Sequence, residues 1–153
     1  MSYVFCHNNF PIVHLKFLKN PNEEELNILF EEWIKYYEKK RYMIFVIDAY
    51  ELNDINIKTL KKIVQFGNDI KTHHPFVSLT IFYFKSKLLK QSFQTALKMS
   101  KPIRPIILTR DKSIIDEITS GQLEFVNVND YNVNYPSNMN MNDLHNLISN
   151  VIS

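Results

Sequence analysis

Residues 42–64 read "YMIFVIDAYELNDINIKTLKKIV", and this stretch decides the fold. From Tyr42 to Ile47 every position is apolar. A strand covered by helices on both faces has that pattern, as in the centre of a parallel sheet. The run stops on Asp48 and a polar loop follows. From Asn53 onward the spacing becomes helical, with Ile57, Leu60, Ile63, Val64 and Phe66 on the side expected to be buried. Strand, loop and helix in this order make most of a β-α-β unit, and the flanking sequence repeats the alternation.

Upstream, "PIVHLKFL" sets Val13, Leu15 and Phe17 on one side and His14 and Lys16 on the other, as in a half-exposed strand near a sheet edge. "SYVF" pairs with it as a hairpin across "HNNFP". "NPNEEELNILFEEWIKYYEKK" opens a helix, with Asn20 as N-cap and Pro21 at the first helical position. Glu23, Glu24 and Glu25 fill the first turn, where the helix dipole favours negative charge. Leu26, Leu29, Phe30, Trp33 and Tyr37 make its apolar stripe.

Downstream come the strand "FVSLTIFYF", a helix burying Leu89, Phe93, Ala96 and Leu97, the strand "RPIILT", and the short helix "DKSIIDEIT", capped by Asp111 or Ser113. The sequence therefore predicts an α/β fold: a mainly parallel central sheet, an N-terminal strand pair and alternating helices. Residues 1–122 form the α/β domain. Residues 123–153 read as an extension, with a strand at Leu123–Val128, a flexible Asn-rich loop and a short terminal helix.

The 153 residues suit one domain with a sizeable core, and 45% hydrophobic and 22% charged residues are ordinary values. Enrichment in Ile, Asn, Lys, Phe and Tyr is what an AT-rich genome writes. A net charge of +2 gives no ground for expecting a nucleic-acid partner. The single cysteine, Cys6, cannot form an internal disulfide and is expected to be a small, semi-buried thiol. The N-terminus does not read as a signal peptide, and no apolar run reaches the length of a bilayer span. A soluble, cytoplasmic protein is the expectation.

With only Gly67 and Gly121 there is neither a GxGxxG turn nor a GxxxxGK[ST] phosphate cradle. CxxC and HExxH are missing, and His73-His74 are adjacent and diverge, so no metal or cofactor is expected. Asp48 should stand at the carboxyl end of a central strand, where ligands of open α/β sheets gather. Receiver-type phosphoacceptor chemistry needs an acidic pair after the first parallel strand and a lysine after the last. This chain has "FLKNPN" and "ILTRD" there. Asp48 is expected to accept hydrogen bonds from loop amides, with an enzyme using strand-end carboxylates, Asp48 or Asp54, as a competing reading. "KSKLLKQSFQTALKMSKPIR" (85–104) carries six cations and no acid, so Lys85, Lys87 and Lys90 offer a basic surface to an acidic partner or anionic lipid.

In order and cadence the chain resembles a STAS domain, the SpoIIAA or anti-sigma-factor-antagonist family, over roughly residues 1–120. "FVIDAYELNDINIKTLKKIV" follows that family's hydrophobic strand ending in aspartate, short loop and Asp-Ser-Ser-Gly-Leu-like helix start. Asp48 matches the strand-end aspartate and Asp54 the aspartate opening the helix. "VSLTIFYFKSKLLKQSFQTAL" matches the next strand and helix. The family's phosphorylatable serine is replaced by Ile55 or Asn56, its glycine is missing, and Thr59 lies a turn further in.

The resemblance implies a non-catalytic protein-interaction or regulatory module without the serine switch, whose partner-binding loop is Asn53, Asp54, Ile55 and Asn56. Small ligands or anionic lipid are further partners it implies for such domains. A weaker resemblance, to the lipid-binding CRAL-TRIO lobe, lacks that family's helical N-terminal subdomain. The edge strand "SYVF" leaves room for a homodimer.

Overall fold

Strand order follows chain order. The computed structural model describes residues 2–73, 76–99, 104–120, 132–134, 139 and 141–152. Six strands lie side by side in one sheet: β1 (Tyr3–Cys6), β2 (Ile12–Phe17), β3 (Met43–Asp48), β4 (Val77–Tyr83), β5 (Ile106–Thr109) and β6 (Asn132–Asn134). β2 to β5 are parallel, and β1 and β6 close the two edges antiparallel. The described residues form five helices, α1 (Glu23–Tyr37), α2 (Ile57–His73), α3 (Lys87–Met99), α4 (Lys112–Thr119) and α5 (Met141–Ile152). The protein is thus an α/β fold.

Right-handed crossovers between parallel neighbours, stepping always in one direction, put every crossover helix on the same face. α1, α2 and α3 accordingly pack on one side, where Phe45, Ile47 and Phe82 meet Trp33, Leu60, Ile63 and Phe93. Aromatic pairs lock this layer: Trp33 stacks on Phe45 at 5.1 Å, and Phe30 on Phe66 at 4.0 Å joins α1 to α2. On the other face Ile44, Val46, Leu79, Ile81 and Ile107 are covered by α4 and α5 through Ile114, Ile118, Leu144 and Ile148. The all-apolar β3 is explained by this sandwich, since Met43 to Ile47 are all buried.

Several local expectations shift. α1 is capped by Asn22, not Asn20. Its Oδ1 accepts from Glu25 N at 2.8 Å, and Glu25 Oε1 accepts from Asn22 N at 3.3 Å, a reciprocal capping box. Both asparagines have a glutamate three residues on, so the sequence pattern fits either; Pro21 is buried ahead of the helix. Ile57 was expected to be buried and is 67% exposed. The buried line of α2 runs Leu60–Ile63–Ile70, and at about 100° per residue Ile57 lies roughly a quarter-turn off its centre. Cys6 is exposed rather than half-buried. It points to the face of β1–β2 that lies beyond α4 and α5.

Part of the Asn-rich segment is a strand: β6 pairs with β5, with Val133 opposite Ile107. The strand expected at Leu123–Val128 lies outside the described residues. Among the described residues no helix is long and apolar enough to cross a membrane.

Candidate functional site

Parallel strands deliver their carboxyl ends to one edge, and the loops there are where α/β folds build sites. At that edge β3 ends on Asp48, whose Oδ1 accepts from Tyr50 N at 2.9 Å. Ala49 N donates to Tyr83 O at 2.8 Å, tying the loop to the next strand. Leu52 and Ile55 then turn inward and are 3% and 7% exposed, respectively. Asn56 ends the loop as the cap of α2, its Oδ1 accepting from Lys58 N at 2.8 Å. Of the four loop residues singled out in sequence, Asn53 and Asp54 are exposed, Ile55 is a core anchor and Asn56 is a helix cap. Asp54 therefore does not open the helix; the asparagine two residues later does.

Around this pinned loop stands a mixed apolar and basic surface. α2 and α3 both begin at the same end of the sheet, because both follow parallel strands. Their first turns carry Ile57 and Leu88, at 67% and 72% the most exposed large apolar side chains among the described residues. Tyr50 is 39% exposed and meets Tyr83 edge-on at 5.2 Å. Lys85 lies over the Tyr50 ring with its Nζ 5.6 Å from the centroid. Arg110 Nε donates to Lys85 O at 3.1 Å. Lys87 is exposed, while Lys90 is half-buried, its pKa lowered by burial and then by the Arg110 charge. The basic run expected over 85–104 divides: Lys98 lies about 16 Å along α3 from Lys87, and Lys101 is outside the described residues.

A second feature sits on the sheet's other face. Among the described residues α4 and α5 leave β2 open, and a cleft of about 420 Å³ forms between β2 and α4. Its floor includes His14, Lys16 and Asp48, with Asp116 and Thr119 on the α4 wall and Tyr83 alongside. Burial pulls the His14 pKa down, and the Asp48 charge opposes this in part. Burial first, then Tyr50 and Asp48, pushes Tyr83 up. Lining charges of both signs suit a small polar molecule. Among the described residues no serine or cysteine lines the cleft, and the Thr119 hydroxyl donates to Ile115 O at 2.7 Å.

Sequence reasoning missed this cleft because alternation marked His14 and Lys16 as solvent-facing, and nothing local placed α4 beside them. It also missed the Tyr50–Tyr83–Lys85 cluster, which joins two loops more than thirty residues apart in sequence. Among the described residues no three His, Cys, Asp or Glu side chains gather as metal ligands. No protein-family model matches this chain, and neither a curated protein nor a solved structure matches it.

Proposed function

We propose that the chain is a non-catalytic, STAS-like interaction or regulatory module of the cytoplasm, taking a protein partner on the carboxyl-end surface around residues 50–57 and 85–88. One observation carries this reading. Ile57 and Leu88, the most exposed large apolar side chains among the described residues, flank a loop held by backbone, cap and core contacts. Exposed apolar groups rimmed by charge mark interaction sites, and a surface already held in shape loses little entropy on binding. Tyr50 adds an aromatic group of the kind that interfaces concentrate, with the Lys85 charge over its ring. The initial strand pair followed by alternating helices and strands agrees with the order the STAS resemblance implies. At the position of the family serine stands Ile55 or Asn56; Ile55 is buried, Asn56 caps α2 and neither has a hydroxyl, so on this reading partner binding is not switched by phosphate there.

The same patch favours one second reading. Ile57 and Leu88 beside Lys58, Lys85 and Lys87 could instead rest on an anionic lipid surface. Affinity capture from a cell extract, with the wild type and an Ile57→Asp/Leu88→Asp variant side by side, separates the readings. The proposal expects a protein retained by the wild type and lost by the variant, with unchanged circular dichroism. Identical retained sets would count against it. Salt-sensitive binding to phosphatidylserine vesicles, without such a protein, would favour the lipid reading.

A further inference from the structure

At the other edge of the sheet from β6, β1 has a strand neighbour on one side only among the described residues. Leu18 N donates to Ser2 O at 2.7 Å, so Ser2, Val4 and Cys6 turn their backbone groups towards β2. Alternation then turns the N–H and C=O groups of Tyr3 and Phe5 outward. Beside this edge runs a groove against α1, made of two adjoining clefts of about 550 and 390 Å³ that share His7, Glu32 and Tyr36. Its apolar parts on the α1 face are Ile28, 49% exposed, and the half-buried Phe5, while Val4, 42% exposed, turns its side chain to the opposite face of β1, beside Lys16.

Charge along the groove is polar. Glu25 and Glu32 line the cleft that reaches Ser2, and Lys35 and Lys39 line the one at His7. α1 runs parallel to β1, since β1 is antiparallel to β2 and the crossover helix is antiparallel to β2 as well. A second copy laid antiparallel along β1 therefore sets each acidic half against the other copy's basic half.

We propose that this groove seats a second copy of the chain, joined by antiparallel β1–β1 pairing about a two-fold axis at Val4. Tyr3 and Phe5 of each copy then exchange backbone hydrogen bonds with Phe5 and Tyr3 of the other. The two Val4 side chains meet in the closely spaced, non-hydrogen-bonded pair at the axis. The interface is isologous, so every favourable contact occurs twice. A wholly acidic or wholly basic groove would repel its own copy; this one complements it. The proposal is independent of the partner surface at the carboxyl ends, which lies away from β1 and remains open in the dimer.

Light scattering on the full chain at about 0.1 mM tests it. The expected mass is twice the 18.2 kDa of one chain. Val4→Lys opposes two ammonium groups at the axis and should give the monomer mass with unchanged circular dichroism, because Val4 is exposed in the single chain. Lys35→Glu should weaken association roughly tenfold, since symmetry counts the lost attraction twice. In the dimer the Tyr3 and Phe5 amides should exchange hydrogen more slowly as protein concentration rises. A monomeric wild type, a dimer that Val4→Lys leaves intact, or Tyr3 and Phe5 amides that exchange at one rate at every concentration each overturn the proposal.

Discussion

Gly67 sits in the middle of α2, an 17-residue helix, where glycine is the least favourable residue after proline. A Cβ built there meets no described atom within 4 Å beyond its chain neighbours and the surrounding helix backbone, and its φ is not in the left-handed region. It borders a small apolar cavity of about 20 Å³ between α2 and α3, lined in part by Trp33, Phe82, Phe93 and Leu97. Gly67→Ala should therefore stabilise the protein. Helix propensity contributes about 0.8–1.0 kcal/mol, and partial burial of one methyl adds up to roughly 0.5 kcal/mol. The total is about 1–1.5 kcal/mol, which for a chain of this size raises Tm by roughly 3–5 °C. Urea unfolding followed by circular dichroism should show a higher midpoint with an unchanged slope. A midpoint that is unchanged or lower would refute the reasoning, because it would mean that α2 and α3 approach too closely at Gly67 for a methyl group.

Three further outcomes follow from named contacts. Asn56→Ala removes the acceptor for Lys58 N and should cost about 1 kcal/mol in urea unfolding, without altering the m-value. Phe45→Ala empties the centre of the larger core, where Phe45 is 0% exposed beneath Trp33, and should cost about 3–5 kcal/mol, read as a large fall in the urea midpoint. The third concerns pH. Burial lowers the His14 pKa below its ordinary 6.5, so the unfolded chain binds the proton more readily than the folded one. His14 therefore contributes stability above pH 6.5 that is lost as pH falls towards the folded pKa. Unfolding at pH 7.5 and 5.5 should show a smaller acid-side loss in His14→Gln than in the wild type.

The layers of this fold are legible in sequence wherever burial has a clean period. β3 reads as buried on both faces because α1 and α2 cover one side and α4 and α5 the other, and Met43–Ile47 lacks polar side chains for that reason. Val13, Leu15 and Phe17 read as one face because only that face of β2 meets α1. Legibility fails at element ends, where one residue's role depends on a contact elsewhere. Ile57 continues the three-residue step of Leu60 and Ile63, yet it lies about a quarter-turn off the buried line of α2 and is exposed. Asn56 rather than Asp54 caps α2 because Ile55 is drawn into the core first. β6 was unreadable because Asn132–Asn134 has weak strand character, and its pairing is supplied by the free edge of β5. The candidate sites are less legible still. The cleft beside His14, the tyrosine pair under Lys85 and the groove along β1 each join residues from separate elements, and one strand or helix pattern carries no trace of such a meeting.

The central claim is that the carboxyl-end surface is held in shape before any partner arrives. Amide hydrogen exchange of the free protein tests this most directly, read at Ala49, Tyr50 and Lys58, whose N–H groups donate to Tyr83 O, Asp48 Oδ1 and Asn56 Oδ1. The account predicts that all three are protected well beyond the exposed Asn53 and Asp54 amides. Exchange at Ala49, Tyr50 and Lys58 as fast as at Asn53 and Asp54 would mean an unformed loop, and would contradict it.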